Sequence, residues 1–203
     1  MRRLLDILLS LLALLILGVP MLLFALAVRL ESRGPAIFRQ RRAGWRGRPF
    51  TMLKFRTMRL DSDPYGESPQ GADDARLTRT GRFLRRWSLD ELPQLLNVLA
   101  GQMSLVGPRP LYERQAAQWD DRQRHRLDVR PGLTGLAQTS GRGELPIEDK
   151  IELDLYYVEH RSLWFDIKIL LRTLGVLGRS SEIYERRYSR DKQRESDEKP
   201  SNQ

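Results

Sequence analysis

The sequence predicts an α+β fold, mainly helical: an N-terminal re-entrant (monotopic) membrane helix, then a small cytoplasmic globular domain with a short β-hairpin and amphipathic interface helices. Three observations predict it. Residues 7–28 form 22 uncharged positions interrupted by Ser10, Gly18 and Pro20, about 33 Å of helix at 1.5 Å per residue. Two short β-capable runs flank a Gly/Pro-containing loop. Three later segments repeat apolar residues at helical spacing.

The apolar run comes first. Arg2 and Arg3 precede it, and Arg29, Arg33, Arg39, Arg41 and Arg42 follow it. Basic flanks on both sides place both ends on the cytoplasmic face. Pro20 removes a helix hydrogen bond and clashes with the preceding turn, which costs about 3 kcal/mol in a helix interior. A helix broken at Pro20 that enters and leaves by one face accounts for both features. A spanning helix kinked at Pro20 and a cleaved signal peptide are the alternatives. The signal-peptide reading conflicts with an apolar stretch longer than the usual core and with Arg29 following at once.

Ala36 to Gln40 and Phe50 to Met58 read as the hairpin strands, joined by a loop with Gly44, Gly47 and Pro49. Asp61 to Arg76 is polar, lacks either apolar period and reads as a long mobile loop. Leu89, Leu92, Leu95, Leu96 and Leu99 define a helix stopped by Gly101. Pro146 to Glu159 places Ile147, Ile151, Leu155 and Val158 on one stripe, with Pro146 in the first turn. Ser162 caps a helix from Leu163 to about Leu177, either a core helix or one lying in the membrane interface. The predicted units are therefore 1–33 for the membrane helix, 34–184 for the globular domain and 185–203 for a charged, disordered tail.

Composition narrows the chemistry. The 203 residues contain no cysteine and two histidines, His125 and His160, which removes disulfides, thiolate metal sites and cysteine nucleophiles. The histidines lie 35 residues apart without metal-ligand spacing, so carboxylates and arginines are left to carry chemistry. The net charge is +9, with 30 Arg against 5 Lys, and residues 29–110 hold +8 of it. Guanidinium forks match phosphate oxygens, and basic residues near an anionic leaflet contribute about 1 kcal/mol each. Isolated aromatics and the absence of any nucleic-acid motif argue against nucleic acid as the partner.

Ser88-Leu89-Asp90-Glu91-Leu92-Pro93 concentrates the chemistry. Ser88 and Glu91 have capping-box spacing, and acids in a first helical turn suit the helix dipole. Pro93 conflicts with a helix beginning at Ser88 and is compatible with one beginning near Asp90. Adjacent helical residues point about 100° apart, so Asp90 and Glu91 can serve different partners, one attacking phosphorus and one holding a metal. Gly107-Pro108-Arg109-Pro110 presents one guanidinium on a proline-locked backbone, suited to a diphosphate. Arg130 to Gly135 and Gly141-Arg142-Gly143 add glycines that allow close backbone approach.

In order, these segments are a basic N-terminus with Asp6, the Pro-broken apolar run, Lys54-Phe55-Arg56-Thr57-Met58, Ser88 to Pro93, Gly107 to Pro110, Arg130 to Gln138 and Glu152 to Tyr157. Together they closely resemble the bacterial sugar transferases, monotopic polyprenyl-phosphate phosphoglycosyltransferases, in their minimal form, over residues 1 to about 180. The resemblance implies transfer of a phosphosugar from a UDP-sugar to a polyprenyl (undecaprenyl) phosphate through an aspartyl-phosphosugar, at the cytoplasmic face of the bacterial inner membrane. It implies Asp90 as nucleophile, Glu91 as Mg²⁺ ligand, and Arg85 and Arg109 on the diphosphate. Lys54 would stand beside the nucleophile, with Arg56, Pro110 and Arg142 at the substrate. Anionic membrane lipids are a further expected partner. The family often has Ser before the helix-breaking proline; Val19 stands there in this chain. A non-enzymatic, membrane-anchored basic adaptor is the alternative, needing the arginines but not Asp90.

Overall fold

The computed structural model describes residues 1–63, 69, 71, 73–141 and 145–177. The tail from 185 and Arg142 lie outside the described residues. Helix α1 runs from Arg2 to Glu31 and continues through Pro20, so the interruption expected at that residue is not a gap in the helix. Proline adopts a helical φ and forfeits one backbone bond, a defect that a long apolar helix absorbs. The helix is long and apolar enough to cross a membrane. Its solvent-side face is a row of leucines, including Leu8, Leu15, Leu22 and Leu26.

Both ends of α1 are bound to the same globular domain. At the start, Arg2 Nε pairs with Asp166 at 3.0 Å, Arg3 donates to the Leu99 carbonyl at 2.7 Å, and Asp6 accepts from Ser104 Oγ and the Leu105 amide. At the other end Val28 packs with Phe55 and Leu84, and Phe24 meets Phe55 edge-on. Glu31 accepts from the Arg79 and Thr80 amides at 2.6 and 2.8 Å. Those are free donors at the start of helix α2 (Arg79–Arg86), which a carboxylate satisfies.

The hairpin forms as expected, β1 (Ile37–Arg42) antiparallel to β2 (Phe50–Phe55) with Gln40 opposite Met52. Its inward face contributes Phe50 and Met52 to a core with Val98 and Met103. The described part of 61–76 contains only turns and bends. The single helix expected over 89–99 is divided. A 3-10 turn covers Leu89–Glu91, and helix α3 spans Gln94–Leu99. Pro93, lacking an N–H, sits at the N-cap of the second piece, where no donor is required.

A second ladder escaped the sequence reading: β3 (Ser104–Val106) lies parallel to β4 (Gly132–Thr134). The short helices α4 (Glu113–Ala116), α5 (Asp121–Arg124) and α6 (Leu136–Ser140) complete the middle of the chain. Here the glycines allow backbone to approach backbone rather than a ligand. A Cβ on Gly132 would fall 2.1 Å from the Gly107 nitrogen. Helices α7 (Ile147–His160) and α8 (Leu163–Leu177) match the expected spans. They close the core with Tyr157 and Ile169 against Val106, Val129 and Leu136. Trp164, Leu171 and Leu174 of α8 remain exposed, so one face of this helix is packed and the opposite one is apolar and uncovered.

Gly81 fixes how α2 lies on the exit of β2. Thr78 Oγ1 accepts from its amide at 2.9 Å, and a Cβ at Gly81 would meet the Thr57 carbonyl oxygen at 2.0 Å. Gly81→Ala must push α2 off that backbone, and is expected to cost about 3 kcal/mol, measured as a lowered unfolding midpoint of the detergent-solubilised protein.

Candidate active site

The site is assembled where α2, the 3-10 turn and β2 converge. Ser88 enters the turn with φ 55° and ψ 21°, a left-handed backbone without a side-chain cap bond. The capping-box reading of Ser88 is thereby replaced: its hydroxyl does not close the helix start. Non-glycine residues hold such a conformation when the surroundings dictate it, and here it turns the chain so that Asp90 points inward. Asp90 is 8% exposed, and among the described residues no hydrogen bond or ion pair engages its carboxylate.

Glu91 is treated in the opposite way. Its Oε1 accepts from Lys54 Nζ at 2.8 Å and from Arg109 Nη2 at 2.9 Å, while Oε2 has a longer 3.5 Å contact with Arg109 Nη1. Burial alone would raise the pKa of Glu91, but the Arg109 and Lys54 cations outweigh it and hold the carboxyl well below the usual range. Burial raises Asp90, and the Glu91 charge adds to this, against the opposing pull of Lys54, Arg85 and Arg109. Burial likewise lowers Lys54 despite its pairing with Glu91. Two adjacent carboxylates are thus pushed apart in acidity, a pattern that assigns different roles to the members of a pair.

The remaining expected residues divide into two groups. Arg85 leaves α2 toward the site, its Nε donating to Thr57 Oγ1 at 2.9 Å, and its charge is felt by Asp90. Arg109 is in place on Glu91. Pro110 lies behind it, its carbonyl accepting from Arg42 Nη1 at 3.3 Å. Arg56 was expected at the substrate, and in the structure its side chain is engaged at the end of α1. Its guanidinium caps the end of α1, donating to the Ser32 and Val28 carbonyls at 2.8 and 3.3 Å, because the unsatisfied carbonyls there need a donor. Arg56 therefore ties the end of α1 to the exit of β2.

A cleft of about 300 Å³ opens beside this cluster. Ser88, Glu91 and Arg109 line its charged end, and Leu105, Leu133 and Leu170 belong to its apolar walls. Arg126 and Asp154 also line it; no role was expected for either, although Asp154 falls within the Glu152 to Tyr157 segment singled out above. A carboxylate without a partner, two arginines and a lysine beside a cleft of this size suit an attack on a phosphorus whose oxygens need neutralising.

Residues 1–180 match the family described as "Bacterial sugar transferase". The chain belongs to that family. This sugar transferase is 44% identical over 174 residues to "Uncharacterized sugar transferase EpsL" of Bacillus subtilis (strain 168), covering 86% of this chain and 85% of that protein. It is 45% identical over 196 residues to a "UDP-glucose:undecaprenyl-phosphate glucose-1-phosphate transferase" of Caulobacter vibrioides, covering 90% and 72% respectively. An Escherichia coli (strain K12) protein with the same functional name is 44% identical over 182 residues, 86% of this chain but 39% of the longer relative.

The two carboxylates predict opposite effects on stability. A raised acid binds its proton more tightly when folded, so ionised Asp90 opposes folding as pH rises through its folded pKa. A depressed acid contributes stability above the ordinary carboxylate range, lost as pH falls through its folded pKa. At pH 7, Asp90→Asn is expected to raise the thermal midpoint. Glu91→Gln leaves two cations under-compensated and is expected to lower stability by about 2 kcal/mol. Parallel melts of the two variants check both signs.

Proposed function

We propose that this sugar transferase moves a hexose 1-phosphate from a UDP-sugar to undecaprenyl phosphate, with Asp90 as nucleophile. The observation that carries the reading is the division of the dyad: Asp90 is buried and, among the described residues, makes no hydrogen bond or ion pair, whereas Glu91 is held by Lys54 and Arg109. The functional name shared by the Caulobacter and Escherichia relatives supports the donor and acceptor classes, and makes UDP-glucose the first donor to test.

In the first step an Asp90 carboxylate oxygen forms a bond to the β-phosphorus, and the bond from that phosphorus to the bridging oxygen breaks. UMP leaves with the electron pair. In the second step a phosphate oxygen of the polyprenyl phosphate attacks the same phosphorus, and the Asp90 oxygen departs as carboxylate. A carboxylate is a weak nucleophile, so rate comes from in-line positioning and from cancelling charge on the phosphoryl oxygens. Arg85 and Arg109 provide the cancellation, and Lys54 lowers the acidity barrier of Asp90 by favouring its ionised form.

Mg²⁺ fits the donor set in a limited way. The ion takes one or two carboxylates with phosphate and water oxygens completing its shell, and Glu91 Oε2 has only the long Arg109 contact. Among the described residues no cluster of three or more acidic or histidine side chains exists, so substrate phosphates and water would supply the other ligands. When bound, the ion would neutralise diphosphate charge.

The membrane arrangement we infer is monotopic, at the cytoplasmic face of the inner membrane. Supporting this reading, both ends of the helix bind one folded domain, through Arg3 and Asp6 at one end and Glu31 at the other, which fits ends on one side of a bilayer. The exposed leucine row of α1 and the uncovered apolar face of α8 supply the lipid-facing surface, with anionic headgroups meeting the arginines.

Asp90→Asn is expected to reduce UMP release from UDP-glucose by at least about a thousandfold, while the protein still co-sediments with vesicles. Undiminished turnover by that variant rejects the assignment, and vesicle binding without any turnover by the parent favours the adaptor. The pH profile adds a signed test. The acid limb of kcat/KM reports ionisation of Asp90, and removing the Lys54 charge in Lys54→Met is expected to move that limb to higher pH.

A further inference from the structure

Arg126 and Asp154 are 3% and 1% exposed, the most thoroughly buried ion pair among the described residues. Asp154 Oδ2 accepts from Arg126 Nε at 3.0 Å and also from Nη2. The same Nη2 donates to the Arg109 carbonyl at 3.2 Å, and the guanidinium lies over the Trp119 ring, 4.8 Å from its centroid. Arg109 stands between Pro108 and Pro110 in a segment without helix or strand. The ladder bonding with β4 reaches Pro108, whose carbonyl accepts from the Gly132 amide at 2.9 Å, and the next carbonyl, that of Arg109, is held by Arg126.

We propose that Arg126 and Asp154 form a positioning unit for Arg109, holding its backbone so that its guanidinium stands on Glu91 at the edge of the cleft. The connection is continuous in the structure: Asp154 of α7 orients Arg126, Arg126 holds the Arg109 carbonyl, and Arg109 Nη2 reaches Glu91 Oε1 at 2.9 Å. Stability alone is a poor reason for the pair. Well-packed apolar residues of similar volume commonly replace a buried ion pair without loss, and this pair keeps Arg126 Nη1 and Asp154 Oδ1 buried without partners. A guanidinium offers what an apolar replacement lacks, a fork that serves a carboxylate and a backbone carbonyl at once. The carbonyl belongs to the residue that the proposed reaction assigns to the diphosphate, so the inference rests on that reading of Arg109.

The test is a double-mutant cycle on the full-length, detergent-solubilised protein, with UDP as the probe and its dissociation constant read by calorimetry. The pair is replaced by Arg126→Met with Asp154→Leu, and separately weakened by Asp154→Asn, which preserves volume. Each is combined with Arg109→Ala. The pair variants are expected to weaken UDP binding about ten- to hundredfold while keeping the parent's helical circular dichroism. In the Arg109→Ala background the same changes are expected to cost less than about twofold, because the unit acts through Arg109.

Multiplying effects in the two backgrounds, or UDP binding untouched by the pair variants, overturns the proposal. If the apolar double variant does not fold, the cycle with Asp154→Asn decides between the same outcomes. A parent that does not bind UDP overturns both the positioning unit and the assignment of Arg109. A parent that binds UDP and obeys the cycle, yet releases no UMP from a UDP-sugar, overturns the transfer reaction alone.

Discussion

The Glu91 carboxylate holds two cations, Lys54 Nζ at 2.8 Å and Arg109 Nη2 at 2.9 Å, and this grouping separates two acids that are neighbours in sequence. Without it, Asp90 and Glu91 would compete for the same charges in the same low-dielectric corner. With it, Glu91 is held ionised while Asp90 stays buried and, among the described residues, without a hydrogen-bond partner. The cations also determine where elements must lie. Lys54 comes from the hairpin, Arg109 from the proline-locked segment after β3, and Arg85 from the last turn of α2, so three parts of the chain meet around one 3-10 turn.

Helix α1 braces that meeting point from both directions. Glu31, at its end, satisfies the first amides of α2, the helix that delivers Arg85 and leads into Ser88. Arg3, at its beginning, donates to the last carbonyls of α3, the helix that follows the dyad. The segment carrying Asp90 is thus held between two contacts with one long apolar helix. Arg56 strengthens the arrangement by capping the end of α1. This geometry places Asp90 beside the long apolar helix, and under the proposed reaction that is where a soluble donor and a lipid-borne acceptor would both arrive.

Much of this architecture was legible because its signals are local. The apolar run, the hairpin around Gly44 and Gly47, and the stripes of α7 and α8 each announce themselves through period and punctuation. Asp90, Glu91, Lys54, Arg85 and Arg109 came from ordered motifs, and the structure brings all five together. Arg56 misled because a basic residue in a loaded motif looks the same whether it meets a phosphate or a helix terminus; only the position of the α1 carbonyls distinguishes them. The β3–β4 ladder was missed because three-residue strands carry no period, and the Gly107–Gly132 approach that permits it is a contact across distant sequence. Arg126 and Asp154 carry no pairing signal in sequence for the same reason: their partnership spans 28 positions and passes through a backbone carbonyl that no residue pattern records.

The most direct test of the central claim is rapid quenching of the protein with UDP-glucose in the absence of polyprenyl phosphate, followed by proteolysis and mass analysis of the peptide containing Asp90. The expected result is a hexose-phosphate adduct on Asp90 with a matching burst of UMP, discharged when polyprenyl phosphate is added. UMP formation that requires the lipid acceptor from the outset, with the Asp90 peptide unmodified throughout, would contradict it.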